Sequence, residues 1–283
     1  MPLSKKQVFA AIAAGCVAFS GSALAQKKTE YNVALDGTFA PHAMPDLSGG
    51  TIGFNVDLAN EIGKRLGVKM NITAAQWSGL LPAMQAGKYD FIVAPTTITE
   101  ERAESMLFTE GYLNTDFLFA VKKGSPKITA LEDFKGKIIA VNKGAVYDRW
   151  VRELEPTIGW KVQSYGTQTD ALQAVVAGRA FANVAGNTAV AWAVQKIPAL
   201  ELSYNYSTGK LFGMPFRADD VETRNMVEEV IECMKLDGTF VEMSKKWFGV
   251  EPAPGSAAVT VSAGYGQPGI KGYDPTPHVP NCS

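Results

Sequence analysis

The sequence predicts an α/β protein of two lobes, each a mostly parallel sheet flanked by helices. Between residues 31 and 94, strand-like apolar runs alternate with helix-spaced apolar positions in the order β, α, β, α, β, which is typical of such a sheet. Residues 82–97, PAMQAGKYDFIVAPTT, are then repeated in similar form at 173–188, QAVVAGRAFANVAGNT. The repeat indicates a second lobe of related design, although a shared Ala-Gly-basic helix ending would also explain the match.

Length and composition agree with two soluble domains. Domains cluster at about 100 to 150 residues, and this chain has 283. Hydrophobic residues make up 46% of it and charged residues 19%, which is typical of globular proteins. The net charge of −1 and the absence of a basic run argue against a nucleic-acid partner or a role at an anionic membrane.

The N-terminus predicts secretion. Lys5 and Lys6 precede an apolar stretch at 8–19 and small residues that end at Ala25. This pattern is typical of a signal peptide over residues 1–25, cleaved after Ala25, and it predicts a periplasmic protein. A lipoprotein site at Cys16 is the alternative.

Two cysteines remain after that cleavage, Cys233 and Cys282. In an oxidising compartment we expect them to form a disulfide, and two free thiols are the alternative. Residues 251–283 are rich in proline and glycine. We therefore expect a surface tail rather than a packed domain, tethered through Cys282.

The elements of the first lobe follow from periodicity. We predict strands over 31–35, 68–72 and 91–94 and helices over 54–66 and from Trp77 to about Gln85. Thr99 is suited to cap a further helix that carries Arg102 in its first turn. A strand, a turn rich in hydroxyl groups and a helix with an arginine form an arrangement that holds a carboxylate.

The second lobe repeats this order. We predict strands over 117–121, 138–141, 160–165 and 181–185, and helices over 131–136, 146–154, 170–177 and 187–196. An extended segment over 211–218 precedes an amphipathic helix over 221–236 and a last helix that ends at Gly249.

The sequence between residues 31 and 249 resembles the family 3 extracellular solute-binding proteins, the periplasmic receptors of polar amino-acid ABC importers. The blocks that carry the resemblance are IGFNVDLA (52–59), WSGLLPA (77–83), AGKYD (86–90), TIT through Arg102 (97–102), FT through Tyr112 (108–112) and DGT through WFG (237–249). The resemblance implies the type II periplasmic-binding-protein fold, with the ligand between two lobes joined by crossing strands near 115–121 and 210–218. The expected division is lobe 1 at 26–116 and 218–250, lobe 2 at 117–217 and the tail at 251–283.

The resemblance also implies the ligand contacts. Phe39 and Trp77 match aromatic residues that sandwich the ligand, Pro95 and Thr97 match the turn that contacts it, and Arg102 matches the arginine that binds its α-carboxylate. Core packing is the alternative for the two aromatic residues. For Arg102 the alternative is a surface salt bridge with a neighbouring glutamate.

Two positions depart from the family pattern. Where the family carries hydroxyl groups at a helix start, this chain has Ala145 after Gly144. The family's acid for the ligand α-ammonium is replaced by Gly186, which we expect to leave room for a bulkier group. The ligand is therefore either a carboxylate without an α-ammonium, or an amino acid whose ammonium meets another acid such as Asp36 or Asp148.

We expect a monomeric receptor that binds a small carboxylate, presents it to the membrane permease of an ABC importer, and uses no cofactor or metal. An enzyme is disfavoured because a general acid or base is needed in the cleft, and the histidines are only His42 and His278. The alternative is an accessory protein whose cleft has lost small-molecule binding and which docks a protein partner.

Overall fold

The computed structural model describes residues 28–282; the predicted signal peptide, 1–25, lies outside this range. The strands are β1 (Glu30–Asp36), β2 (Met44–Pro45), β3 (Thr51–Ile52), β4 (Lys69–Ala75), β5 (Phe91–Ile92), β6 (Thr96–Thr97), β7 (Met106–Phe108), β8 (Leu113–Lys122), β9 (Ile138–Asn142), β10 (Lys161–Tyr165), β11 (Ala182–Gly186), β12 (Leu200–Gly213) and β13 (Pro215–Arg217). The helices are α1 (Phe54–Leu66), α2 (Trp77–Gln85), α3 (Glu100–Ala103), α4 (Val146–Ile158), α5 (Gln168–Val176), α6 (Asn187–Lys196), α7 (Val221–Leu236) and α8 (Thr239–Phe248), with a 3₁₀ turn at Leu131–Phe134.

Each lobe is built around one mixed sheet. The first sheet has the order β4-β1-β5-β13-β7 and the second the order β10-β9-β11-β8-β12-β6. In the first sheet β1 pairs in parallel with β4 and β5, and in the second β9 pairs in parallel with β10 and β11. The strands that connect the lobes pair antiparallel to these. The predicted two-lobe α/β fold is confirmed.

Two long strands connect the lobes. β8 enters the second sheet, and β12 lies beside it antiparallel before the chain returns to the first sheet as β13. β12 is much longer than the extended segment predicted at 211–218, since it begins at Leu200. Its register against β8 shifts twice, between Leu202 and Asn205 and between Tyr206 and Lys210. These irregularities and the polar run around Gly209 hide the strand from a pattern search.

Apolar faces of helices hold the first lobe together. On α1, Phe54, Leu58 and Ile62 have no exposed surface, because residues four apart in a helix share one face. Gly67 ends this helix in the left-handed conformation, with φ 65°, which glycine adopts without a Cβ clash.

Residues beyond 250 form turns that pack against α7. Cys233 on α7 is bonded to Cys282, so the predicted disulfide is present. Gly266 N–H donates to Glu228 Oε1 at 2.6 Å, and Lys235 Nζ donates to Thr260 O at 2.9 Å. The tail is thus held at several points along α7. Within residues 28–282, no helix combines the length and the apolar character needed to cross a membrane.

Candidate functional site

A small cavity of about 30 Å³ lies between the lobes, with room for two or three water molecules at about 10 to 15 Å³ each. The structure brings together six residues that the sequence singled out, which line this cavity: Phe39, Trp77, Pro95, Thr97, Arg102 and Ala145. Asp36 and Tyr147 also line it, as do four residues that sequence reasoning missed: Ala94, Asn142, Val146 and Phe212.

Arg102 is the cation of the cleft. It stands in the short helix α3, whose cap Thr99 accepts a hydrogen bond from Arg102 N at 3.2 Å. The side chain is 8% exposed, and its Nη1 donates to Thr97 O at 2.8 Å. Burial lowers its pKa to about 10, so it stays charged at neutral pH. Glu101, a candidate surface partner, instead pairs with Arg149 of the second lobe.

Trp77 forms one wall beside this cation. It begins α2, and the Arg102 guanidinium lies 5.4 Å from the centre of its ring, within the range of a cation–π contact. The indole Nε1 donates to Gly144 O in the second lobe at 3.0 Å. Trp77 therefore both shapes the cleft and bonds the two lobes.

Asp36 is the buried acid of the cleft. It is the last residue of β1 and 3% exposed. Its Oδ1 accepts from Thr38 N at 2.9 Å and Thr38 Oγ1 at 2.7 Å, and its Oδ2 accepts from Asn142 Nδ2 at 3.2 Å. Burial raises its pKa, against the lowering effect of these hydrogen bonds.

Tyr147 lies within electrostatic reach of both charges. Burial raises its pKa most, Asp36 and Asp148 raise it further, and Arg102 lowers it. Because the phenol responds to Asp36 and to Arg102, an anionic and a cationic group both lie within electrostatic reach of one aromatic side chain in the cleft. Asn142 Oδ1 is buried beside them, with no hydrogen-bond partner among the described residues.

Asp148, the other acid considered from the sequence, is used within its own lobe. It accepts hydrogen bonds from Gly144 N at 2.8 Å, Arg152 Nε at 3.0 Å and Ser164 Oγ at 2.6 Å. It does not line the cavity. These bonds stabilise the loop that precedes α4, so Asp148 supports the cleft from behind.

Gly186 does not line the cavity either. A Cβ added there would lie 3.1 Å from Phe212 Cζ and 3.4 Å from Thr115 Oγ1. The space beside Gly186 is therefore occupied by the Phe212 ring, and in this structure it is not open to a larger group. Phe212 lies within the crossing strand predicted near 210–218, but no motif in the sequence marks it as a residue of the cleft.

No group of three or more His, Cys, Asp or Glu side chains between residues 28 and 282 is arranged to hold a metal ion.

The model for bacterial extracellular solute-binding proteins, family 3, matches residues 31–250. The chain belongs to this family. Among related proteins, this family 3 member is 28% identical over 252 residues to the lysine/arginine/ornithine-binding periplasmic protein of Escherichia coli (strain K12), over 86% of this chain and 97% of that protein. It is 30% identical to a putative amino-acid ABC transporter-binding protein of Vibrio harveyi, over 85% of this chain and 96% of that protein.

Solved structures show the same fold. This solute-binding protein is similar to an ancestral arginine-binding protein bound to arginine, with a TM-score of 0.76 and 32% identity, over 79% of this chain and all (100%) of that one. It also resembles an ancestral amino acid-binding protein described as a precursor of cyclohexadienyl dehydratase, with a TM-score of 0.71 and 31% identity, over 78% of this chain and 95% of that one.

Proposed function

We propose that this solute-binding protein is the periplasmic receptor of an ABC importer and binds a small solute that carries both a carboxylate and a cationic group. In this proposal the signal peptide is cleaved after Ala25. The first lobe then comprises residues 26–116 and 218–250, and the second lobe comprises residues 117–217. The observation that carries the proposal is Arg102, a charged side chain buried in the cleft against Trp77. Burying a charge is unfavourable unless it is paired, and a ligand carboxylate would pair it.

Asp36 favours an amino acid or related amine over a simple acid. Of the two acids that could meet a ligand ammonium, Asp36 lines the cavity and Asp148 does not. Asp36 is nearly completely buried, so water has little access to its carboxylate when the lobes are closed. A cationic group of the ligand would take the place of that water and pair the charge. The names of the relatives, which refer to amino acids, support the same ligand class.

A receptor fits the cleft better than an enzyme. One structural neighbour is described as a precursor of cyclohexadienyl dehydratase, but histidine is the side chain that most often serves as general acid or base, and neither His42 nor His278 lines this cavity. His42 is the histidine near the cleft, and both of its ring nitrogens are engaged in hydrogen bonds. It lies behind the ring of Phe39 and does not line the cavity.

The function would follow from closure of the lobes. A ligand that contacts Arg102 in one lobe and Tyr147 in the other makes both contacts only in the closed form, so binding shifts the population toward closure. The membrane permease of an importer would then recognise the closed protein.

Arg102→Ala tests this proposal by calorimetry with any solute that stabilises the wild-type protein. Loss of a charge-assisted contact to the carboxylate should weaken binding by about 2 to 5 kcal/mol, or roughly 30-fold to several thousand-fold. Arg179→Ala, which removes an exposed arginine that does not line the cavity, is the matched control and should bind normally. Equal affinity of the two variants would rule out the role of Arg102.

A further inference from the structure

His42 connects the walls of the cleft to the contact between the lobes. Its ring has no exposed surface and is surrounded by four phenylalanine rings. The centroid distances are 5.5 Å to Phe39, 6.0 Å to Phe54, 5.8 Å to Phe212 and 5.5 Å to Phe248. Phe39 and Phe212 line the cavity. A movement of His42 would therefore displace two side chains that form the walls of the ligand site.

The hydrogen bonds around His42 determine its tautomer. Asn55 Nδ2 donates to Val93 O at 2.5 Å and to Tyr112 Oη at 2.9 Å, which uses both amide hydrogens. Asn55 Oδ1 must therefore accept from His42 Nδ1, 2.8 Å away. With its proton on Nδ1, a neutral His42 presents Nε2 as an acceptor, and Thr188 Oγ1 donates to it at 2.7 Å.

This last hydrogen bond joins the two lobes. His42 precedes α1, which packs on the first sheet, while Thr188 is the second residue of α6, which packs on the second. Separation of the lobes would break the bond and expose Nε2 to water, while the bond to Asn55 would stay within the first lobe.

A charged His42 does not fit the closed arrangement. The surrounding side chains from α1, α6, α8 and β12 are phenylalanines, Asn55 and Thr188, all uncharged. The titratable group nearest in this network is the Tyr112 phenol, on the far side of Asn55. Burial lowers the pKa of His42 to about 4.

We propose that His42 and Thr188 form a latch on lobe closure, which holds when His42 is neutral and releases when it is protonated. The inference rests on the proposed function, since it concerns the closing motion of the same cleft. His42 acts as a positioning residue, because it does not reach the ligand and supports Phe39 and Phe212 from behind.

The sign of the pH effect follows from the two states. In the closed protein the pKa of His42 is lowered to about 4. In the open protein we expect it to be higher, because Nε2 meets water there, with the ordinary histidine pKa of about 6.5 as the upper limit. Closure therefore releases a proton, so it is fully favoured above about pH 6.5 and is progressively lost as the pH falls toward 4. The ratio of open to closed protein should be higher at pH 5 than at pH 8, by as much as about 30-fold.

A covalently closed form provides a test that needs no ligand. A Cβ built on Gly144 lies 3.8 Å from Ser78 Cβ across the lobes, which matches the typical separation of about 3.8 Å in a disulfide. Ser78→Cys/Gly144→Cys should therefore lock the lobes, and peptide mapping would verify the new bond beside Cys233–Cys282. Gly144 has φ 77°, so the lock is formed against some backbone strain.

The first measurement is an NMR titration of the histidine rings in the locked and wild-type proteins. The chain has 2 histidines, so His278→Gln assigns both signals. We expect His42 to titrate near pH 4 in the locked protein and at least about one pH unit higher in the wild type. Equal values in the two proteins would overturn the proposal.

The second measurement isolates the hydroxyl of Thr188. At pH 7, the equilibrium constant for forming the 78–144 disulfide against glutathione reports how readily the lobes close. Thr188→Val should lower it at least about fivefold, because His42 Nε2 loses its partner on closure, while Thr188→Ser should retain the original value. An unchanged constant in Thr188→Val would contradict the latch, and neither measurement depends on whether a solute binds.

Discussion

Two side chains of opposite charge are buried in the cleft, where neither is paired with the other. Arg102 is 8% exposed and Asp36 is 3% exposed. Burial pushes both pKa values toward the neutral form, lowering that of Arg102 and raising that of Asp36. A protein retains such unfavourable charges where they have a task, and here the task we propose is to bind a solute with the complementary pair of charges.

Asp36→Asn separates the two charges experimentally. The amide keeps the shape of the side chain but loses its charge, so binding of a solute with a cationic group should weaken by about 1.5 to 3 kcal/mol, roughly 10- to 150-fold. Calorimetry measures the change. The thermal stability of the empty protein should stay the same or rise slightly, because burial already disfavours the ionised carboxylate.

The matched control is Asp219→Asn, which removes a carboxylate whose side chain is 88% exposed. Should both variants bind as the wild type does, Asp36 has no part in recognising the solute.

At the residue scale, sequence reasoning reached the side chains whose types form patterns. Trp77 and Arg102 belong to a recognisable succession of helix, strand, turn and helix, whereas Asn142 and Phe212 stand at strand ends that carry no motif. Asn142 could have been predicted as a cleft residue from the topology of the sheet. It ends β9 as Asp36 ends β1, and ligands of α/β sheets bind at the carboxyl ends of strands.

At the element scale, α7 carries a second set of buried polar groups. Arg224, Glu228, Glu232 and Lys235 are spaced along one face of the helix and are at most 4% exposed. Lys235 Nζ donates to Glu110 Oε1 at 2.6 Å, and Glu232 Oε2 lies 2.8 Å from His278 Nε2 in the tail. The tail therefore covers a polar stripe rather than an apolar one.

This explains why the sequence predicted the tail only in part. The disulfide could be predicted from the number of cysteines. The lack of helices and strands in the tail could be predicted from its proline and glycine content. The packing of the tail against α7 could not be predicted, because sequence periodicity detects apolar faces. This contact is made instead by backbone groups such as Gly272 O, which accepts a hydrogen bond from Arg224 Nη1 at 3.1 Å.

Glu228 gives the tail contact a pH dependence. Burial raises its pKa to about 8, so the folded protein holds a proton that the unfolded chain, with a glutamate pKa of about 4.3, releases. The stabilisation is present at low pH and is lost as the pH rises toward 8. The unfolding free energy of the wild type should fall between pH 5 and pH 8, and that of Glu228→Gln should fall less. The two decreases should differ by as much as about 3 kcal/mol.

Urea unfolding at the two pH values measures this difference. Glu229→Gln, at the adjacent position where the carboxylate accepts from Tyr265 Oη, is the control. Parallel pH dependences in the wild type and Glu228→Gln would show that Glu228 is ionised in the folded protein.

The disulfide between α7 and the tail should be a large single contribution to stability. Its cysteines are 49 positions apart, and closing a loop of that length restricts the unfolded chain by about 4 kcal/mol in the chain-entropy model. Cys233→Ala/Cys282→Ala should therefore lower the urea midpoint clearly. A midpoint equal to that of the wild type would mean that the polar contacts alone hold the tail.

At the scale of the whole molecule, a few contacts across the cleft hold the lobes together. Besides His42 and Thr188, Trp77 Nε1 donates to Gly144 O, and Glu101 forms an ion pair with Arg149. The two strands β8 and β12 are the covalent connection about which the lobes would move. Sequence reasoning could find these strands, but it could not find contacts that depend on the relative position of two lobes.

The contacts across the cleft should differ in strength. The Glu101–Arg149 pair is 66% and 45% exposed at its two side chains, and exposed pairs contribute at most about 1 kcal/mol. Arg149→Ala should thus change the affinity for solute by at most about fivefold. Trp77→Phe retains an aromatic wall but leaves Gly144 O without its donor on closure, and it should weaken binding about tenfold. Calorimetry on the two variants decides, and a larger loss in Arg149→Ala would reverse this order.

The most direct test of the account is a thermal-shift screen of the protein from residue 26 onward, using wild type, Arg102→Ala and Asp36→Asn. The solutes are L-arginine, L-lysine and L-glutamine, each matched with an analogue that lacks the carboxylate. L-glutamine is also matched with its deaminated analogue, because arginine and lysine keep a cationic side chain when the α-amino group is removed. A ligand at about 100 times its dissociation constant stabilises by about 2.7 kcal/mol. We predict stabilisation of the wild type by solutes that carry both charges, and a clearly smaller stabilisation of both variants. Stabilisation by analogues without a carboxylate, undiminished in Arg102→Ala, would contradict the account, and stabilisation by no solute would favour an accessory protein that docks a partner.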